Sequence, residues 1–405
     1  MTRTMCIFFP KVCSLAFSLV LSACHSALVA LPDDGMDDVV ELQAAIDEVA
    51  ASGGGTLRLE CGTYELSAPL YLRDSVTLQG CGAKTVLTNE GWNERSDWQG
   101  VTVFAGNLAP ASFAHNDGRG YRGVPVERLS PTKLRFSECT LQPEAGTVVW
   151  LTSAEGEIGQ GGFLRPVHGE VTLVEAVEEG CLVTLADAVS VPESVVLRLH
   201  SAHPPLASMN GIEPNQPIKN AALRSIQIRS ANSQAVISSG CYGCEFIDIT
   251  IGRSRRLIAI QGMRNSTYRN VSGVFGERGV EFAMLAVGNL VENVSARFEP
   301  RDSYPLRPSL RFGENAHGNV LRDIRIDLRA DEGKPWLLRF DESHENHLEN
   351  IHFIVSPQSA PQDMVYRAAG TERGVRGKLP PNTSLVSVEL CTPQRTDDIV
   401  CEPLE

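Results

Sequence analysis

A short phrase recurs six times in the middle of this chain, and that recurrence restricts the fold more than any other feature. The copies are Leu223-Arg224-Ser225-Ile226, Phe246-Ile247-Asp248-Ile249, Tyr268-Arg269-Asn270-Val271, Val291-Glu292-Asn293-Val294, Leu321-Arg322-Asp323-Ile324 and Leu348-Glu349-Asn350-Ile351. Their Ser/Asp/Asn positions are spaced by 23, 22, 23, 30 and 27 residues. A period in this range marks a stacked repeat, in which each unit buries its apolar face only against its neighbours.

The repeats read as β, not helical. Residues 247–251, 257–262, 280–283, 293–298 and 324–328 form short alternating runs rich in β-branched residues, bounded by Gly, Asn, Ser or Pro. No unit holds the ten or more residues of 3.6-residue periodicity that a helical repeat needs. About 22 residues suffice for three short strands and three turns, one coil of a parallel β-helix. The small polar residue at one fixed phase is expected to point inward, because a buried amide needs partners and stacked copies provide them.

The N-terminus reads as a targeting segment. Lys11 precedes a 12-residue, mostly apolar stretch, 12–23, too short to span a bilayer and long enough for a signal-peptide core. The stretch ends in Leu21-Ser22-Ala23-Cys24, which resembles the bacterial lipobox, so Cys24 is expected to become the lipidated first residue. Ordinary cleavage nearby is the alternative. With Cys6, Cys13 and Cys24 set aside, eight cysteines remain: Cys61, Cys81, Cys139, Cys181, Cys241, Cys244, Cys391 and Cys401. In an exported chain that even number reads as disulfides; 105 pairings exist, and nearest-neighbour pairing is expected. The Cys241-Tyr-Gly-Cys244 pair reads as a structural clip, since no second pair or His cluster accompanies it to make a zinc site.

The formal charge is −13. From Lys219 to Arg311, however, 13 Lys/Arg face seven Asp/Glu, a local excess of six positive charges. A basic segment on an acidic protein points to an acidic partner there. No aromatic-and-basic nucleic-acid motif is present, and export argues against nucleic acid.

Along the chain the expected parts are a signal peptide (1–23), a linker (24–36), a helical cap with the first coils (37–90), an insertion carrying a small β module (91–217), regular coils (218–356) and a C-terminal cap (357–405). Val39, Leu42, Ile46 and Val49 mark one face of a helix, with Asp38 and Glu41 as its N-terminal cap and Gly53-Gly54-Gly55 as its stop. Such a helix would cover the open end of the solenoid, with strands following near 56–59, 64–66, 70–72 and 76–79. In the insertion, 146–150, 169–177 and 182–186 read as strands.

Asp37-Asp38, Leu42-Gln43-Ala44-Ala45-Ile46, Gly53-Gly54-Gly55-Thr56-Leu57 and Cys61-Gly62-Thr63-Tyr64, with the later repeats, resemble the pectate-lyase-like superfamily over 33–90 and 218–356. The resemblance implies an all-β, single-stranded right-handed parallel β-helix with an N-terminal capping helix. Members include lyases, hydrolases, epimerases and non-catalytic spikes, so it fixes no single activity. Pro308-Ser309-Leu310-Arg311-Phe312-Gly313 is similar to the tail of that family's Arg motif, in which an arginine two residues before the proline takes a proton. Here Leu306 holds that place and Arg307 is one residue nearer, so Arg307 and Arg311 are carried forward as candidates only.

Aligned coils bring Arg253, Arg255 and Arg256 above Glu277 and Arg278, then Glu299, Arg301 and Asp302, then Asp331, Glu332 and Lys334, in loops after the first strand of each repeat. A polyuronate carries a carboxylate on every sugar, and guanidinium forks spaced along a face suit it. β-Elimination needs that carboxylate neutralised and a base near the C5 proton. Arg278, Arg307, Arg311, Glu277, Glu299 and Asp302 are the catalytic candidates. Arg253, Arg255, Arg256 and Arg301, with His115, Tyr121 and Arg122 from a long loop, are the binding candidates. A hydrolase would instead use paired carboxylates, Glu299 with Asp302 or Glu277 with Glu281. The bland alternative is a set of solvated surface ion pairs. The histidines His344 and His347 read as a solvated turn. No Asp cluster has calcium-loop spacing, although separate coils can assemble a calcium site.

The reading is an exported, monomeric carbohydrate-active β-helix protein acting on an acidic polysaccharide, most simply a uronate lyase, touching membrane only through its lipid. A glycoside hydrolase or a non-catalytic glycan-binding protein of the same fold are the alternatives.

Overall fold

The computed structural model describes residues 30–89, 103–106, 124–136, 148–153, 167–177, 180–186, 197–200, 218–229, 236–283, 286–300, 308–313, 316–330, 337–340, 343–357, 379–380, 382–393 and 399–403. The signal segment with Cys24, and His115, Tyr121, Arg122, Cys139, Arg301, Asp302, Arg307, Asp331, Glu332 and Lys334, lie outside them.

The repeat period becomes coil length. In the first sheet, Ala222–Arg229, Glu245–Gln261, Thr267–Ala283, Leu290–Phe298, Val320–Asp327, His347–Ile354 and Ser384–Pro393 pair in parallel, each with the next. Register sets Ile226, Ile249, Val271, Val294, Ile324, Ile351 and Val388 in one column, all buried. A second parallel sheet holds Leu70–Tyr71, Val103–Gly106, Val236–Ser239, the later halves of Glu245–Gln261 and Thr267–Ala283, then Leu310–Phe312 and Leu338–Phe340. Ile218–Lys219 pairs with Cys241–Tyr242 on a third side, which single bridges through Arg264, Val287, His317 and His344 continue. Parallel strands cannot be joined by hairpins, so the chain circles once per rung, and the fold is an all-β parallel β-helix.

Inside the coils, side chains stack on their own kind. Phe282, Phe312 and Phe340 lie face to face with centroids 5.0 Å apart at each step, and Phe246 stacks on Tyr268 at 4.4 Å. Full burial of each such side chain contributes about 1.5–3 kcal/mol.

The polar ladder expected inside lies outside. Asp248, Asn270, Asn293, Asp323 and Asn350 are exposed, each with φ between 53° and 57°. A left-handed residue interrupts the alternation, so it and the residue before it both face water. Asn270 Nδ2 donates to Asp248 Oδ1 (2.7 Å) and Asn293 Nδ2 to Asn270 Oδ1 (2.8 Å) along this outer row. The buried ladder is a different one: Ser266, Asn289, Asn319 and Asn346, at most 1% exposed. Asn289 Nδ2 donates to Asn319 Oδ1 (2.9 Å) and Asn319 Nδ2 to Asn346 Oδ1 (3.0 Å), and the same amides cap the carbonyls of Met263, Ala286 and Ala316.

The helix runs Val39–Ala51 and buries Leu42, Ile46 and Val49 over the first coil. The expected cap differs: Asp38 makes no side-chain bond to the helix, and its Oδ2 accepts from the Glu65 amide at 2.9 Å. Asp37 Oδ1 takes the Val39 amide instead, at 3.3 Å. Gly54, with φ of 93°, passes so close to Ser75 that a Cβ would fall 2.6 Å from its Cβ. Only glycine satisfies both the turn and the approach.

Between Val103–Gly106 and Ile218–Lys219, six strands close into an antiparallel barrel: Gly180–Leu185, Lys133–Phe136, Val124–Ser130, Leu197–His200, Val148–Ser153 and Val167–Val177 in that order around it. At the far end Ile399–Pro403 pairs antiparallel with Ser384–Pro393. Disulfides join Cys61 to Cys81, Cys241 to Cys244 and Cys391 to Cys401, and Cys181 is also oxidised in a disulfide.

Candidate functional site

The corner between the first and second sheets was expected to be a stack of loops. Instead, Glu245–Gln261 and Thr267–Ala283 run through it as continuous strands whose register slips at Ser254, so that Ser254 meets Phe275 and Arg256 meets Arg278. The predicted neighbours therefore do stack, on a rigid backbone.

Alternation then sorts the second sheet. Val280 and Phe282 point into the core with Leu310, Phe312, Leu338 and Phe340, while Glu281, Arg311 and Arg339 form one column on the outside. That outer column and the corner side chains converge. Glu281, 1% exposed, accepts at Oε1 from Arg311 Nη1 (2.6 Å) and from Arg278 Nη1, while Arg256 Nη1 forms an ion pair 2.8 Å from Oε2 without a hydrogen bond. Glu277, fully buried, pairs with Arg255, and Arg256 Nε lies 4.0 Å from it. Four guanidiniums thus surround two carboxylates, a formal excess of two positive charges. Arg278 and Arg311 are nearly covered, whereas the Arg255 and Arg256 side chains keep 13% and 17% of their surface.

Electrostatics reflects this crowding. Burial pushes the Glu281 carboxyl up, but Arg256, Arg278 and Arg311 together hold it far below the usual carboxylate range. Burial lowers the Arg278 guanidinium to about 10; Glu281 opposes this, while Arg256 and Arg311 add to it. The Nε atoms of Arg256 and Arg278 are buried without a hydrogen-bond partner among the described residues. Such a cluster can neutralise an anionic group and lower the cost of removing a proton beside it.

Arg253 and Glu299 lie at its rim, 4.0 Å apart, with 48% and 38% of their side chains exposed. Glu299 also takes Arg297 Nη2 at 2.8 Å. Gly313 follows the column, where a Cβ would lie 2.8 Å from Arg311 Nη2. Arg339 escaped the sequence reading, yet a signal was there: Leu338-Arg339-Phe340 repeats Leu310-Arg311-Phe312, and the two align rung on rung. Among the described residues, ligand-type side chains converge only at Glu389, Cys391 and Cys401, and those two sulfurs are bonded to each other, leaving one carboxylate and no metal set.

No family model matches the chain. It is 48% identical over 66 residues to the mannuronan C5-epimerase AlgE6 of Azotobacter vinelandii, a match covering 14% of this chain and 8% of that protein. Among solved structures, the tailspike of E. coli bacteriophage HK620 is similar with TM-score 0.44 and 10% identity over 88% of this chain and 53% of that one. The tailspike gp49 of Pseudomonas phage LKA1 gives 0.37 and 15%, over 80% and 51%. The chain thus spans about half the length of these tailspikes and a small part of the epimerase.

Proposed function

We propose that this protein is an exported enzyme of the pectate-lyase-like superfamily that acts on an acidic polysaccharide, cleaving a polyuronate by β-elimination. The observation that carries this reading is the cluster at the corner, two positive charges in excess on a chain of charge −13. Arg255 and Arg256, the parts of the cluster nearest water, receive the uronate carboxylate and stabilise the charge that develops on it. Arg278, whose guanidinium burial lowers to about 10, acts in its neutral form: it takes the C5 proton and becomes guanidinium, the electron pair forms the C4–C5 double bond as the glycosidic C4–O bond breaks, and the departing oxygen takes a proton from water. Glu281 and Arg311 hold these groups in place. The local identity to a mannuronan C5-epimerase favours a second reading with the same first step, in which the C5 carbanion is reprotonated from the other face and the glycosidic C4–O bond stays intact. Export through the first 23 residues and lipidation at Cys24 belong to this proposal. Replacing Cys24→Ser should move the protein from the membrane to the soluble fraction.

The test is ultraviolet absorbance of purified protein incubated with pectate, alginate and glycosaminoglycans, with and without calcium. Rising absorbance from the unsaturated uronate is expected, and Arg278→Lys should abolish it. Exchange of C5 hydrogen with solvent without absorbance would establish the epimerase reading. New reducing ends without absorbance would overturn both in favour of a hydrolase.

A further inference from the structure

The outer surface of the first sheet is divided into two strips of opposite character. Along its middle, from Ala222–Arg229 to His347–Ile354, Arg224, Arg269 and Arg322 face Glu245, Glu292 and Glu349, with Asp248 and Asp323 beside them. That strip carries three positive and five negative groups. Beside the corner, the outward residues of the same coils are Gln227 and Arg229, Thr250 and Arg253, Ser272 and Val274, Ser295 and Arg297, then Arg325, Asp327 and Arg329. Here five arginines face Asp327 and Glu299 among the described residues, and the column of Arg325 then continues through His352 to Glu389. The Arg297, Arg329 and Arg253 side chains are 61%, 53% and 48% exposed.

Register makes this strip a track. Gln227, Thr250, Ser272, Ser295 and Arg325 lie in one column, each paired with the next, and Ser272 Oγ reaches Thr250 Oγ1 at 3.5 Å. Neutral hydroxyl and amide groups thus fill four of the five positions of an inner lane, with Arg325 at the fifth, and the outer lane carries Arg229, Arg253 and Arg297 with Val274 and Asp327 among them. Four rung steps span about 19 Å. A linear polymer with hydroxyls along its body and a carboxylate on each unit matches both lanes, and a neutral glycan matches only one.

We propose that this strip is a docking track for the uronate polymer, lying along the solenoid axis on the first sheet and leading to the corner where the buried cluster sits. It supplies length-dependent affinity, while the cluster does the chemistry. The inference rests on the acidic-polysaccharide reading of that cluster, and the experiment separates them. Arg229, Arg297 and Arg325 are exposed and outside the proposed catalytic set, so R229Q/R297Q/R325Q should melt at the wild-type temperature. On a long polyuronate its KM should rise about tenfold at low ionic strength, with kcat unchanged, and added salt should erase the difference. On a trisaccharide of the same uronate, variant and wild type should match. An unchanged KM on the long polymer overturns the track, even if the enzyme is active. If no polyuronate is turned over, the catalytic reading fails and affinity electrophoresis through alginate and pectate gels decides the track. Retardation of the wild type that the triple variant loses supports it, and equal migration overturns it.

Discussion

Arginine and glutamate meet twice on these coils, and the two meetings have opposite physics. On the middle of the first sheet, Glu292 bridges Arg269 (2.8 Å) and Arg322 (2.6 Å), with the arginine side chains 45% and 42% exposed. At the corner, Glu281 holds three guanidiniums out of water. The exposed row, where acids outnumber arginines, exchanges its bonds for water at little cost. The buried one has too few carboxylates for its cations and stays folded only because each carboxylate serves several. A solvated pair is a surface ornament of the stack; a desolvated cluster short of carboxylates is where an anion has something to gain.

The sharpest way to break this contrast is to remove Glu281. Glu281→Gln leaves three buried guanidiniums without their shared counter-ion and should cost about 3–5 kcal/mol, read as a lower midpoint in thermal or denaturant unfolding. Acid separates the regions next. Because the Glu281 carboxyl is depressed in the folded state, its stabilisation is complete above its ordinary value of 4.5 and is lost as pH falls below it. Asp38 behaves oppositely: burial raises it from 3.8 to about 6, so the native form gains protons first and stability rises as pH falls from about 6 to 3.8. Melting temperatures across pH should show Glu281→Gln flattening the acid limb and Asp38→Asn removing the rise above it.

A smaller effect comes from the two amide ladders. Asn289→Ala, in the buried one, takes from the Ser266 amide its acceptor, Asn289 Oδ1, and removes one of the donors to the Met263 carbonyl and to Asn319 Oδ1, and should cost about 1–3 kcal/mol. Asn293→Gly, in the exposed one, keeps the left-handed backbone and should cost a few tenths of that. Smallest is Glu292→Gln, expected to shift stability by less than about 1 kcal/mol and to vanish in high salt. A large loss there would erase the distinction between the two regions.

The sequence made the stacked β architecture readable because the coil period survives insertions: a 30-residue step still returns Ile324 beneath Val294. It misassigned the inward ladder for a physical reason. Asn289, Asn319 and Asn346 repeat with the same spacing as Asn293, Asp323 and Asn350, so period alone cannot tell which row faces in. The difference lies in a left-handed backbone at the outer row, which spacing does not encode. Register also brought Arg255, Arg256, Glu277 and Arg278 together correctly, but it could not show that their corner is continuous strand or that Glu281, rather than Glu277, is the hub. The barrel was half legible: three of its strands alternate clearly, whereas Lys133–Phe136 and Leu197–His200 are only four residues long, too short to display a period.

The reversed last strand has a consequence for how such a chain changes over generations. Every interior coil offers the next one the same parallel edge, so coils can be gained, lost or lengthened in the middle without retuning their neighbours. The ends cannot be treated this way. At one, a helix closes the stack; at the other, a disulfide fastens a strand running against all the rest, which presents no parallel template for another coil. Length is therefore free to vary and termination is not, and the number of rungs along which a polymer is held can be edited separately from the parts that make the molecule finite.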